Sequence, residues 1–112
     1  MNNFPEFMKR SANIVPRTQQ NTQKIEGYYY TANDGSQMAF WTYHADRTSK
    51  KHTHPFDEYM ICVDGHVIVY INGEPHKLSK GDELVIPSEV EHYEKVTKGT
   101  RTIYAFGGKR IE

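Results

Sequence analysis

The stretch Asp64–Gly81, DGHVIVYINGEPHKLSKG, decides the fold class of this chain. Three glycines, Gly65, Gly73 and Gly81, stand eight residues apart in it, and each completes a turn signal. Asn72-Gly73 is the strongest hairpin signal, because a type I′ turn needs positive φ at both central residues. The runs between the glycines are too short for helices, so the stretch predicts antiparallel β-strands.

Turn signals also occur on both sides of this stretch. Asn33-Asp34-Gly35 and Lys98-Gly99 are further turn signals. Short β-rich runs lie between the turns, at residues 37–44, 58–63, 66–71, 83–87, 91–96 and 101–106. We therefore predict one all-β domain, a sandwich or barrel, within the 112 residues.

The composition restricts the possible partners and the compartment. Fourteen basic and fourteen acidic side chains cancel, so the chain has no electrostatic footprint for nucleic acid or for an anionic membrane. The single cysteine, Cys62, cannot form an intrachain disulfide, which fits a reducing compartment. Neither a signal-peptide core nor a membrane-spanning apolar run is visible in the sequence. The sequence predicts a soluble, cytoplasmic protein.

Residues 1–24 are the least patterned part of the chain and end in the polar tract RTQQNTQK. Phe4, Phe7 and Met8 predict one short helical turn behind Pro5. We expect this segment to be an arm that docks on the barrel or on a partner subunit.

The stretch HTHPFDEYMICVDG, residues 52–65, carries a possible metal site. On a strand, His52 and His54 point to the same face. Glu58 has the same parity, but four extended residues span about 13 Å, which is too far for one shared ion. Pro55 favours a corner at this point, since proline lies at strand edges and bends. With that corner the three side chains converge.

Glu58 is the residue that favours a metal site over a pair of surface histidines without a bound ion. A lone His-x-His pair on a strand is more often surface decoration than a site. An inward-facing glutamate at the head of the apolar run YMICV is harder to explain, because a buried carboxylate without a partner is costly. A divalent cation is its natural partner.

A second stretch, residues 81–92, runs from a turn glycine through a short apolar strand and a proline corner to a histidine. Together the two stretches resemble the paired motifs of the cupin superfamily. The first motif is His-x-His, three or four residues, Glu, six residues and Gly; the second is Gly, five residues, Pro-x-Gly, two residues and His. The resemblance covers about residues 35–107. The positions that stand at these intervals are His52, His54, Glu58, Gly65, Gly81, Pro87 and His92.

The resemblance implies a double-stranded β-helix, the jelly-roll barrel of cupins, around one mononuclear metal. Its ligands would be His52, His54, Glu58 and His92. Three imidazoles and a carboxylate suit Fe, Mn, Ni, Cu or Zn and do not choose among them. Because small cupins commonly pair, a homodimer is expected.

The chain departs from the family pattern at three positions. Glu89 stands where the second motif has glycine, Asp46 stands at the leading glycine of the first, and Val96 replaces an asparagine often found after the last histidine. None of these changes removes a predicted metal ligand, but they weaken the inference that this chain shares the activity of any particular cupin enzyme.

Several side chains are candidates for the wall of a ligand pocket. Cys62 shares the parity of Glu58, although packing as a small apolar residue is the alternative for it. His44 could reach the barrel mouth, whereas His66 and His76 are predicted to be exposed. The pocket candidates are Phe40, Thr42, Met60, Cys62, Tyr104 and Phe106.

Two functions of different classes remain open. One is a metal-binding cupin that holds a small, oxygen-rich organic molecule, as a dioxygenase or an isomerase. The other is a non-catalytic sensor or sugar-binding barrel whose metal is structural or absent. The lack of a clear acid or base beyond the ligands favours the second, and no catalytic residue is assigned.

Overall fold

The computed structural model describes residues 1–19 and 24–112. The described residues contain three short 3₁₀ helices, Glu6–Met8, Ser11–Asn13 and Arg17–Gln19, and none is long and apolar enough to cross a membrane. The first of them confirms the predicted turn behind Pro5. Nine strands follow: β1 Ile25–Thr31, β2 Gln37–Tyr43, β3 Arg47–Thr48, β4 Glu58–Asp64, β5 His66–Ile71, β6 Glu74–Ser79, β7 Glu83–Ile86, β8 His92–Val96 and β9 Arg101–Phe106.

The strands form two antiparallel sheets that enclose the core. The five-stranded sheet has the order β1-β2-β9-β4-β7, and the four-stranded sheet has the order β3-β8-β5-β6. Trp41 and Tyr43 of β2 and Val67 and Val69 of β5 are buried in one hydrophobic cluster, as the period of two along each strand requires. The prediction of an all-β jelly-roll barrel is confirmed.

The turn chemistry explains where the strands end. Asn72 and Gly73 have φ angles of 50° and 82°, which confirms the two-residue type I′ hairpin between β5 and β6. All six predicted runs are strands; β1 and β3 were not predicted, and β6 was implied only as the second arm of the Asn72-Gly73 hairpin. Pro75 lies within β6, at the edge of its sheet, where the missing N–H of proline costs no ladder bond.

The described part of the N-terminal arm packs on the chain's own barrel. The ring of Phe4 lies 5.0 Å from that of Phe40, on the outer face of the five-stranded sheet. Ile14 forms an antiparallel bridge with Tyr28 of β1. Residues 20–23 of the predicted arm lie outside the described residues.

Candidate metal centre

His52 and His92 face each other across two neighbouring chain segments. The N–H of each donates to the carbonyl of the other, at 2.9 and 3.0 Å, so that the two rings lie 4.2 Å apart between centroids. His54, two residues beyond His52, points to the same side, and its ring centroid lies 5.5 Å from that of His92. One ligand nitrogen from each of the three rings lies within 4.8 Å of the others.

Glu58 reaches the same place from the start of β4. The corner before it is tied down by Asp57, whose carboxylate accepts from the N–H of Ser88 at 2.9 Å. The Glu58 side chain is only 4% exposed, and its Oε1 lies 3.3 Å from His54 Nε2 while Oε2 lies 3.8 Å from His92 Nε2. The structure thus places Glu58 against His54 and His92, while the group whose ligand atoms all lie within 4.8 Å of one another comprises the three histidines.

Three ligand atoms in this cluster are buried without a hydrogen-bond partner among the described residues. They are Nε2 of His54, Oε1 of Glu58 and Nε2 of His92. Each such group costs about 1–3 kcal/mol when it is left unsatisfied. A cation bound between them would satisfy all three at once, so the donor set fits a divalent metal ion.

The ring orientations support the same reading. Nδ1 of His52 lies 2.6 Å from the carbonyl of Lys50, and Nδ1 of His92 lies 3.0 Å from the carbonyl of Val90. Since a carbonyl only accepts, both Nδ1 atoms carry the proton, and Nε2 is left with a free lone pair. Metal-binding histidines commonly donate their other N–H to a carbonyl in this way.

Burial favours the uncharged forms of Glu58, His54 and His92. Burial, reinforced by the charge of Glu94, raises the pKa of Glu58 to about 8. Burial also lowers the pKa of His54 to about 4 and moves the pKa of His92 in the same direction. The close approach of His54 and Glu58 is therefore a contact between neutral groups at pH 7, not an ion pair. Neutral imidazoles are the form that binds metal.

A cavity of about 270 Å³ opens beside the cluster. Two predicted pocket residues, Tyr104 and Phe106, line it. Trp41 and Tyr43, which are not among the predicted pocket residues, line it as well. Four aromatic side chains therefore provide much of the wall.

The other four pocket candidates do not line this cavity. Phe40 and Thr42 were assigned to the wrong face of β2, because the inward positions are the odd-numbered ones, including Trp41. Met60 and Cys62 do point inward from β4, but both are completely buried in the packed core away from the cavity. Cys62 therefore follows its alternative, apolar packing.

Sequence reasoning missed four charged residues that line the cavity, namely Arg47, Lys50, Glu94 and Arg110. Glu94 lines the cavity and is 8% exposed; its Oε2 has no partner among the described residues, and Oε1 accepts from the Tyr104 hydroxyl at 3.5 Å. Its position two residues after His92 on β8 could have indicated a shared face. Arg110, which also lines the cavity, lies beyond the predicted barrel and carried no motif signal.

The remaining histidines lie outside the cluster. His44 is exposed and pairs with Glu26 at 3.1 Å, so it does not reach the site. His66 is exposed as predicted, whereas His76 is half-buried on the edge strand β6.

The departures from the family pattern alter loops, not ligands. Glu89 adopts a left-handed φ of 65°, which glycine adopts without strain, and its N–H donates to the carbonyl of His54 at 2.7 Å. Asp46 accepts from the N–H of Lys98 at 2.7 Å and so holds the turn before β9. Val96 is buried at the end of β8.

The fold and the site define a small jelly-roll barrel with three histidines and one glutamate gathered in its interior. The sequence matches the Cupin domain family over residues 39–111. The chain belongs to the cupin family.

Solved structures share this fold. An RmlC-like cupin from Shewanella frigidimarina has a TM-score of 0.73 at 18% identity, over 93% of this chain and 86% of that chain. KdgF from Halomonas sp. has a TM-score of 0.69 at 21% identity, over 76% and 79%. Salicylate 1,2-dioxygenase from Pseudoaminobacter salicylatoxidans, with gentisate adducts, has a TM-score of 0.69 at 18% identity, over 76% of this chain but 25% of that one. No curated protein matches the sequence. At these identities the likeness shows the fold alone.

Proposed function

We propose that this cupin binds one divalent transition metal ion through His52, His54, Glu58 and His92, and holds a small, oxygen-rich organic molecule beside it. The observation that carries the proposal is the set of three buried, unpartnered ligand atoms in one place. The residues suit Fe, Mn, Ni, Cu or Zn. When bound, such an ion supplies Lewis acidity toward an oxygen of the ligand.

Glu94 supports an isomerase-like reaction over a non-catalytic barrel. The non-catalytic alternative was favoured by the lack of an acid or base beyond the metal ligands, and Glu94 removes that argument. Its Oε2 has no partner among the described residues, and its side chain lines the same cavity as Trp41, Tyr43, Tyr104 and Phe106. Glu94 would take a proton from a carbon beside a carbonyl of the ligand and return it to a neighbouring atom as the double bond shifts between them. One C–H bond breaks and one bond to hydrogen forms, so the ligand isomerises without an oxidant.

Metal content tests the first part of the proposal. The protein is purified without an affinity tag or chelator and subjected to elemental analysis. We expect about one transition metal ion per chain in the wild type and in His44→Ala, a matched change of a histidine outside the cluster. His52→Ala and His92→Ala should lose most of the metal. Unchanged metal content in these two variants would refute the proposal.

Isotope exchange tests the second part. Metal-loaded protein is incubated in D₂O with a panel of hydroxy acids and keto sugars, and loss of C–H signals is followed by NMR. Glu94→Gln should retain the metal and lose the exchange, whereas Glu91→Gln, an exposed control, should retain both. Exchange that proceeds equally well in Glu94→Gln would rule out the role of Glu94 as the base.

A further inference from the structure

Arg110 brings a positive charge to the cavity wall. Its guanidinium carbon lies 5.3 Å from the ring centre of Trp41 and 5.4 Å from that of Phe106. Within residues 1–19 and 24–112, no carboxylate forms an ion pair with it. Two aromatic faces thus hold the guanidinium beside the cavity, while its capacity to bind an anion is unused by the described protein.

The backbone at Arg110 is held by the side chain of Gln37. Oε1 of Gln37 accepts from the N–H groups of Arg110 and Ile111, at 2.8 Å each, and Nε2 donates to the carbonyl of Ile111 at 2.9 Å. Nε2 also lies 3.0 Å from the hydroxyl of Thr31. Gln37 is 2% exposed and Ile111 is fully buried, so this anchor is a rigid part of the core.

The charged side chains around the cavity favour an anion. Three basic residues and two acidic ones line it, namely Arg47, Lys50, Arg110, Glu58 and Glu94. The basic side chains outnumber the acidic ones, and a bound divalent ion would add further positive charge. A neutral ligand would leave this excess unmatched, whereas a carboxylate would offset part of it and could accept two parallel hydrogen bonds from a guanidinium.

We propose that Arg110 recognises the ligand's carboxylate, that the ligand is a small hydroxylated organic acid, and that Gln37 is a positioning residue for Arg110. The assignment rests on the proposed function for its metal end, where oxygens of the same ligand would meet the ion. It narrows the ligand from any oxygen-rich molecule to one that carries a negative charge.

Acid and neutral counterparts of one carbon skeleton test the proposal. Calorimetric titration of the metal-loaded protein compares gluconate with sorbitol and salicylate with salicyl alcohol. The wild type should prefer the acid in at least one pair, by about 10- to 100-fold, as hydrogen bonds to charged groups allow. Arg110→Gln should lose most of that preference and keep its metal. Lys50→Gln removes one positive charge from the same cavity, but at a side chain that is not held between aromatic rings. It should lower the acid preference less than Arg110→Gln does.

The outcomes separate the two proposals. Absence of metal from the wild type would refute the proposed metal function. Metal present with no acid preference in either pair, or a preference that survives Arg110→Gln or falls equally in Lys50→Gln, would overturn the role of Arg110 alone.

A double-mutant cycle tests the positioning role. Gln37→Met removes the amide contacts with little change of volume and should lower the acid preference while metal content stays the same. Combined with Arg110→Gln it should add no further loss, and an additive loss would overturn the positioning role. If Gln37→Met does not fold, Gln37→Glu keeps the accepting oxygen for both backbone N–H groups and must retain most of the preference for the role to stand.

Discussion

Burial of Glu58 predicts an unusual pH dependence for the metal-free protein: it should become less stable between pH 6.5 and pH 8. The folded-state pKa of Glu58 is about 8, above its ordinary value of 4.5, so its contribution is fully present below pH 4.5 and is lost as the pH rises through 8. His54 acts in the opposite direction. Its folded-state pKa is about 4, below 6.5, so its contribution is present above pH 6.5 and is lost as the pH falls through 4.

These directions fix the pH window of the test. Between pH 4.5 and 6.5 the two residues oppose each other, whereas above pH 6.5 the histidine contribution levels off and Glu58 dominates. One pKa unit corresponds to about 1.4 kcal/mol, so Glu58 alone would lower the free energy of unfolding by about 1.7 kcal/mol from pH 6.5 to 8. The last part of the histidine titration offsets some of this, which leaves a net fall of about 1 kcal/mol. Urea denaturation of chelator-treated, dialysed protein at several pH values across this window measures it directly.

Two variants and one ligand complete the design. Glu58→Gln should abolish the fall, because the amide does not titrate, whereas Glu91→Gln, an exposed matched change, should leave it intact. Saturation with a divalent ion should also remove it, since the ion then replaces the proton on the carboxylate. The reasoning fails if the wild type is flat over the window or if Glu58→Gln declines as steeply as the wild type.

Two backbone positions give further predictions, each read from urea denaturation. Glu89→Gly should raise the free energy of unfolding by about 1 kcal/mol, because it relieves the backbone strain of a non-glycine residue at a left-handed φ of 65°. Glu91→Gly, at a position without positive φ, should lower the free energy of unfolding. A lower free energy of unfolding in both variants would contradict this prediction. Gly65→Ala should cost about 2–4 kcal/mol, since φ is 85° and a Cβ would lie 2.7 Å from the Cα of Thr100. A near-native midpoint for Gly65→Ala would show that the Thr100 segment can move aside.

Local signals account for the parts of the fold that the sequence predicts well. Asn72-Gly73 specifies a hairpin whatever the rest of the chain does, because only a few residues accept two positive φ angles in succession. Without that turn signal β6 would not be recognised as a strand, because Pro75 and its polar neighbours lack a strand pattern; pairing with β5 overrides that weak propensity.

Face assignments need information that no single strand contains. Along β2, Phe40 and Trp41 are both aromatic, and which of them faces the cavity depends on how β2 pairs with β1 and β9. The N-terminal arm then covers Phe40 on the outer face, so both residues are buried and burial alone would not separate them.

The proposed metal ligands and the proposed ligand-recognition groups differ in how far the sequence reveals them, and the difference is physical. His52 and His54 must lie within bonding reach of one ion, so their spacing is constrained and is visible as a motif. Arg110 has no such constraint: its placement depends on Gln37, 73 positions earlier in the chain. A family built on this barrel can therefore keep its metal motif while the residues that select the ligand change freely. The chemistry that distinguishes this cupin is accordingly to be sought in Glu94, which only its parity with His92 indicates, and in Arg110, which no spacing rule predicts.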